Sequence, residues 1–236
     1  MDQKTEIKKG AGAPPASLTS QTYRRIKSDI ITGTLEPGIK LKIDELRQMY
    51  GTGMSPVREA LSLLTSDRLV ERIDQRGFRV AHVSAETFTE LLKTRCWLEE
   101  RALRESIAHG GKDWEEGVVL AHYRLSRTPR STSSRTFTAN AAWEDLHRQF
   151  HVALIAACGS SMLLQFCTQL YDENVRYRNL AGSSAYPKRD VNHEHEDIMK
   201  ATLDRDADLA VERLTAHYRE TGAFLANRIG RTDLAT

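Results

Sequence analysis

The sequence predicts a mainly α protein in two parts: three helices closed by a β-hairpin wing, then an antiparallel bundle of long helices. Three observations predict it. Short amphipathic segments broken by glycine fill the first third and end in two brief alternating runs. From Ser84 onward, apolar residues recur only at helical spacing. No stretch approaches the ~18 consecutive apolar residues of a membrane span. With 236 residues, 40% of them hydrophobic, the chain can hold a small domain and a larger one, each with its own core.

Residues 1–17 mix Gly, Ala, Pro and charge without apolar periodicity and read as a flexible arm. The first helix spans about residues 19–32, with Tyr23, Ile26, Ile30 and Ile31 on one face and Gly33 as its stop. The stretch GTLEPGIKL reads as a turn, because Pro37 presets the backbone and Gly38 releases it. A second helix covers Ile43 to Tyr50, broken by Gly51-Thr52-Gly53. Ser55 is expected to cap the third helix, with Pro56 at the first helical position and Val57, Ala60, Leu61 and Leu64 as its buried stripe. Residues 69–73 and 78–80 read as two strands joined by Asp74-Gln75-Arg76-Gly77. Helix, helix, tight turn, helix, hairpin is the order of a winged helix-turn-helix, which is assigned to residues 18–83.

Residues 84–230 read as an all-helical bundle, with helices at about 84–108, 114–125, 138–157, 162–180, 191–203 and 207–229 and a tail at 231–236. TPRSTSSR and the segment holding Pro187 are loops. Cys96, Cys158 and Cys167 are odd in number, lack CxxC spacing and read as reduced core residues. No apolar leader is visible, so a cytoplasmic protein without membrane contact is expected.

Of the 34 Lys and Arg and 32 Asp and Glu, 14 and 10 fall in residues 1–83, so this part carries the basic excess. That balance suits a surface facing nucleic acid. The buried stripe of the third helix leaves Ser55, Arg58, Glu59 and Ser62 outward, and a helix anchored in this way can enter the major groove. Arg58 stands in the first turn, where its guanidinium and the helix N–H groups meet phosphate or a guanine edge. Arg72, Gln75, Arg76 and Arg79 of the wing are candidate backbone or minor-groove contacts. The competing reading pairs Arg58 with Glu59 or Asp67 on a solvated surface.

His147 and His151 lie four apart and share a helix face with Trp143, Phe150 and Leu154. His195 shares a face with Val191, Ile198 and Thr202, and His217 with Leu214 and Thr221. Each buried imidazole brings two polar nitrogens that need partners. One metal ion would satisfy all four residues, and ordinary core hydrogen bonds are the alternative.

The run LEPGIKL…ELRQMYGTGMSPVREALSLLTSDRLVERIDQRGFRV resembles the GntR family of bacterial regulators, and the later helices resemble its FadR-type effector domain, called FCD. The resemblance runs from Thr19 to Ile229. It implies a homodimeric repressor that binds a double-stranded operator of palindromic half-sites. Asp44 and Met54 depart from the pattern, since many members carry operator-contacting arginines there. Metal-binding FCD domains use an Asp and a His four apart plus two further histidines. The resemblance therefore implies His151, His195 and His217 as ligands, with His147 in place of the Asp. Exchanging an anionic oxygen for a neutral nitrogen favours Zn²⁺ or Ni²⁺ over Mn²⁺.

The resemblance also implies that Arg95 holds an effector carboxylate, with Arg176 and Arg178 as further anchors. Glu99, one turn beyond Arg95, is the competing partner. The segment WEDLHRQFHVALIAACGSSMLLQFCTQLYDENVRYR is similar to that of dicarboxylate-responsive members, which implies a small carboxylate or dicarboxylate as effector. Only His82-Val83-Ser84 separates hairpin from bundle, so coupling is expected to run from the helix of Arg95 into the wing. A metal-dependent hydrolase using the same histidines is the alternative class. HRQFH, however, has Arg148 where the HExxH proteases have their general base.

Overall fold

The computed structural model describes residues 17–180, apart from 134, 136 and 137, and residues 189–232. The arm up to residue 16, the segment with Pro187 and residues 233–236 lie outside the described residues.

The N-terminal part begins with α1 (Leu18–Thr32), whose first turn is capped by the Ser17 side chain accepting from the Ser20 N–H. Gly33 ends it at φ 83°, a left-handed conformation that suits a residue without Cβ. Then come β1 (Lys40–Leu41), α2 (Ile43–Tyr50), α3 (Met54–Ser66), β2 (Val70–Ile73) and β3 (Gly77–Val80). The strands form one antiparallel sheet in the order β1-β3-β2, with Leu41 opposite Phe78 and Val70 opposite Val80. Two expectations need correction here. Lys40 and Leu41 belong to a strand as well as following a turn, and a two-residue strand has too little alternation to be read. Ser55 does not cap α3, because the helix starts two residues earlier on Gly53, whose extended backbone carries no side-chain acceptor. Ile26, Ile30, Leu46, Val57, Leu61, Leu64 and Val80 close the core of this part.

The bundle comprises α4 (Ala85–His109), α5 (Lys112–Ser126), α6 (Ala141–Ile155), α7 (Ser161–Leu180), α8 (Val191–Leu203) and α9 (Ala207–Thr232). Ser84 and Thr87 form a reciprocal capping box at the start of α4, which fixes where the bundle leaves the wing. The α6 helix is shorter than periodicity alone suggests, since Asn140 caps it. Around the central α4 pack α6, α7 and α9, while α5 lies against α6 and α8. Leu103, Val118, Phe150, Leu154, Ile198 and Leu214 are almost fully buried between them. All three cysteines are buried and free. Among the described residues, no helix is long and apolar enough to cross a membrane. The first helix, α1, packs along α7, so the two parts touch well beyond the short joint.

Candidate metal centre and DNA-facing surface

The four histidines converge. His147 and His151 come from α6, His195 from α8 and His217 from α9, all buried. One nitrogen from each lies within 4.8 Å of the others. Burial favours the neutral form of all four: it pushes His147 down to about 3, His151 and His195 well below the usual imidazole range, and His217 also down, there against the raising effect of Glu194. Trp143 stacks on His147 at 4.5 Å between ring centroids and closes one side.

The surrounding hydrogen bonds fix which nitrogen of each ring is bare. Tyr171 donates its hydroxyl proton to Glu144 at 3.0 Å, so its oxygen can only accept from His147 Nδ1, 2.9 Å away. Tyr218 likewise donates to Glu99 and accepts from His151 Nδ1 at 2.9 Å. Glu194 accepts from His217 Nδ1 at 2.8 Å, and His217 together with Arg189 holds its carboxyl down to about 2 against the opposing effect of burial. Each of these three rings therefore carries its proton on Nδ1 and turns a bare Nε2 to the centre. His147 Nε2 and His151 Nε2 stand 3.0 Å apart, which sets two lone pairs face to face with no proton left to share. Both ring nitrogens of His195 are buried without a hydrogen-bond partner.

A divalent ion answers each of these needs. Nitrogens about 2.0–2.1 Å from one ion sit roughly 3 Å from each other, and partners on the outer nitrogen are the usual way of orienting a ligating imidazole. The donor set fits a transition metal of borderline softness.

Arg95 is 3% exposed and reaches this cluster from α4. Its Nε donates to Glu99 at 2.6 Å and Nη1 to Asn174 at 3.1 Å, while its guanidinium carbon lies 3.9 Å from the Tyr218 ring centroid. The expected competition with Glu99 is thus real, yet Arg95 Nη2 remains buried and without a partner. Arg178 pairs with Glu144. Arg189 pairs with Glu194 and also bonds Thr221 Oγ1 at 2.8 Å. Arg130 lies over the Trp143 ring, and burial, with Arg178 nearby, lowers its guanidinium to about 10. Three of these arginines are offset by Glu99, Glu144 and Glu194, so an anion is favoured chiefly at the unpartnered Nη2 of Arg95. The structure does not bring Arg176 here: two positions before Arg178 on α7, it faces the opposite way and donates to the Ala81 carbonyl. Sequence reading missed Glu144, Tyr171, Arg189, Glu194 and Tyr218. Spacing held a signal for some of them, since Glu144 precedes His147 by one turn, and Glu194 and Tyr218 adjoin His195 and His217.

On α3, Val57, Ala60, Leu61 and Leu64 are 0% exposed, whereas Ser55, Arg58, Glu59 and Ser62 face solvent. Ser62 donates to the Arg58 carbonyl at 3.0 Å, and Glu59 accepts from the Thr19 hydroxyl at 2.8 Å. Asp67 accepts from Tyr23 and lies 3.6 Å from Lys27. Neither acid forms an ion pair with Arg58 among the described residues. Arg72, Gln75 and Arg76 are exposed on the wing, while Arg79 is tied to Glu71 at 2.7 Å. Where a metalloprotease helix would carry its base, Arg148 pairs with Asp172 at 3.3 Å.

Comparison with known proteins places these features in context. A family model described as bacterial regulatory proteins, gntR family, matches residues 18–80, and one described as FCD domain matches residues 90–220. The HTH-type transcriptional regulator BphR of Paraburkholderia xenovorans is 38% identical, covering 87% of this chain and 84% of its own. The HTH-type transcriptional repressor GlaR of Escherichia coli is 34% identical over 83% of this chain and 90% of its own. The solved structure of E. coli McbR/YncC superposes with a TM-score of 0.71 at 19% identity, covering 89% and 98%, and so shares the fold.

Proposed function

The chain belongs to the GntR family of bacterial regulatory proteins and carries an FCD domain, which makes it a DNA-binding transcriptional regulator, and we propose that it is a homodimeric repressor released by a small dicarboxylate at a metal-containing pocket. One observation carries the sensing half: three imidazoles with Nδ1 committed outward and Nε2 turned to a common point, two of them 3.0 Å apart. His147, His151, His195 and His217 would hold the ion, and the all-nitrogen set favours Zn²⁺, with Ni²⁺ next. When bound, the ion supplies a Lewis-acidic position for a carboxylate oxygen.

The chain's own residues do the rest. Arg95 offers an unsatisfied Nη2 to a second carboxylate, with Arg178 beside it as a further anchor. Tyr171, Tyr218 and Glu194 hold the rings in place, while Trp143 and Phe150 keep water away. At the other end, Ser55, Arg58, Glu59 and Ser62 on α3 meet the major groove, and Arg72, Arg76 and Arg79 follow the DNA backbone at the wing, Arg79 after exchanging Glu71 for phosphate. Large apolar side chains exposed on α4, α5 and α7, among them Trp97, Leu120, Tyr123 and Phe166, support pairing with a second copy. A repressor of this kind works in the cytoplasm.

The test is elemental analysis of protein purified without chelator. About one transition-metal ion per chain is expected, falling to background in His151→Ala and His195→Ala. Metal-free protein from metal-replete cells, still responding to a dicarboxylate, would overturn the metal reading.

A further inference from the structure

Between the DNA-binding part and the bundle lies a cavity of about 420 Å³, lined by His82 but by none of the four clustered histidines. Thr65, Val70 and Ala81 wall it on one side, and Leu91, Leu170 and Arg176 on the other. Arg176 is 4% exposed. Its Nη2 donates to the Ala81 carbonyl, yet its Nε is buried without a partner. Glu173, three positions before Arg176 on the same helix, lines the cavity too, and its Oε1 is buried without a hydrogen-bond partner.

These two needs are opposite, since a guanidinium N–H requires an acceptor and a carboxylate oxygen a donor. No ion pair joins the two side chains among the described residues. The walls carry both signs, Arg68 and Arg176 against Glu71, Glu90 and Glu173, so a simple anion would leave the Glu173 Oε1 unmet and a simple cation the Arg176 Nε. The volume falls in the range that takes small molecules, and it far exceeds the roughly 30 Å³ share of one water.

We propose that this junction binds a small zwitterion of the amino-acid class, with its carboxylate on Arg176, its ammonium on Glu173 and its side chain against Leu91 and Leu170. The ligand then touches both parts at once, through Val70 and Ala81 of the wing region and through α4 and α7 of the bundle. Its binding steadies one mutual placement of the parts and gives the regulator an input that does not pass through the histidines.

Titration calorimetry and thermal melting of the full-length protein with each proteinogenic amino acid test this, with acetate plus methylammonium as the divided control. At least one amino acid is expected to bind and raise Tm by a few degrees where the control does not. Glu173→Gln, which removes the ammonium's counter-charge, and Thr94→Trp, which fills the cavity from α4, each weaken that binding at least about tenfold, a loss of ~1.4 kcal/mol. His151→Ala leaves it intact. The proposal falls if no amino acid binds at ~10 mM, far above the micromolar dissociation constants of ordinary small-molecule sites. It falls equally if binding survives both cavity variants, or if it disappears in His151→Ala, which would put the zwitterion in the histidine pocket.

Discussion

At the scale of single residues, the pocket is two parallel relays that end on bare imidazole nitrogens. His147 leans on Tyr171 and Glu144, and His151 on Tyr218 and Glu99, with Arg178 and Arg95 neutralising the two acids. Without a metal the site is four buried histidines whose neutral form is favoured, and that has a pH signature. Burial depresses their folded values, His147 to about 3, whereas the unfolded chain protonates them near 6.5. Below that pH the unfolded state binds protons that the folded state refuses. For His147 the stability contribution is therefore present above pH ~6.5 and lost as pH falls toward 3, at up to about 1.4 kcal/mol per pH unit, and the other three act in the same direction. Melting of the metal-free protein between pH 7 and 5 should show Tm falling with acidity. A flat or rising Tm across that window would contradict the burial of neutral rings.

Among elements, α3 shows what sequence could and could not reveal. Its apolar stripe was legible because Val57, Ala60, Leu61 and Leu64 repeat at helical spacing and are all 0% exposed. Its start was not, because Gly53 supplies the extended N-cap conformation that a serine signature was expected to mark. Likewise the histidine faces of α6, α8 and α9 could be read from spacing, while Tyr171 on α7, 24 residues beyond His147, carried no local signal of its role. The two arginines of α7 separate for a simple reason. Two residues turn a helix by about 200°, so Arg178 faces the pocket and Arg176 the other part. Exposed Arg58 should matter to DNA alone. Arg58→Ala is expected to weaken operator binding about 10- to 100-fold in fluorescence anisotropy, with dicarboxylate affinity unchanged by calorimetry. Unaltered DNA affinity would place the recognition surface elsewhere.

For the whole molecule, the question is how the pocket reaches the DNA. The short joint at Ser84 offers the route expected from sequence, and the structure adds another through α7. Lys27 of α1 bonds Asp172 of α7 at 2.8 Å, Asp172 also meets Arg148 of α6 beside His147, and Asn179 donates to the Ile31 carbonyl at 2.9 Å. Asp172→Asn should leave dicarboxylate binding intact while shrinking its effect on operator affinity, because a coupling of about 1–3 kcal/mol would lose its charged link. An unchanged ratio of operator dissociation constants with and without ligand would exclude this route. The most direct test of the account is anisotropy of labelled DNA from the gene's own upstream region, titrated with metal-loaded protein in the presence and absence of a short dicarboxylate. Specific binding in the nanomolar range is expected, weakening on addition of dicarboxylate to wild type and not responding in His151→Ala. Specific binding that stays unchanged with metal and dicarboxylate both present, or no specific binding at all, would contradict it.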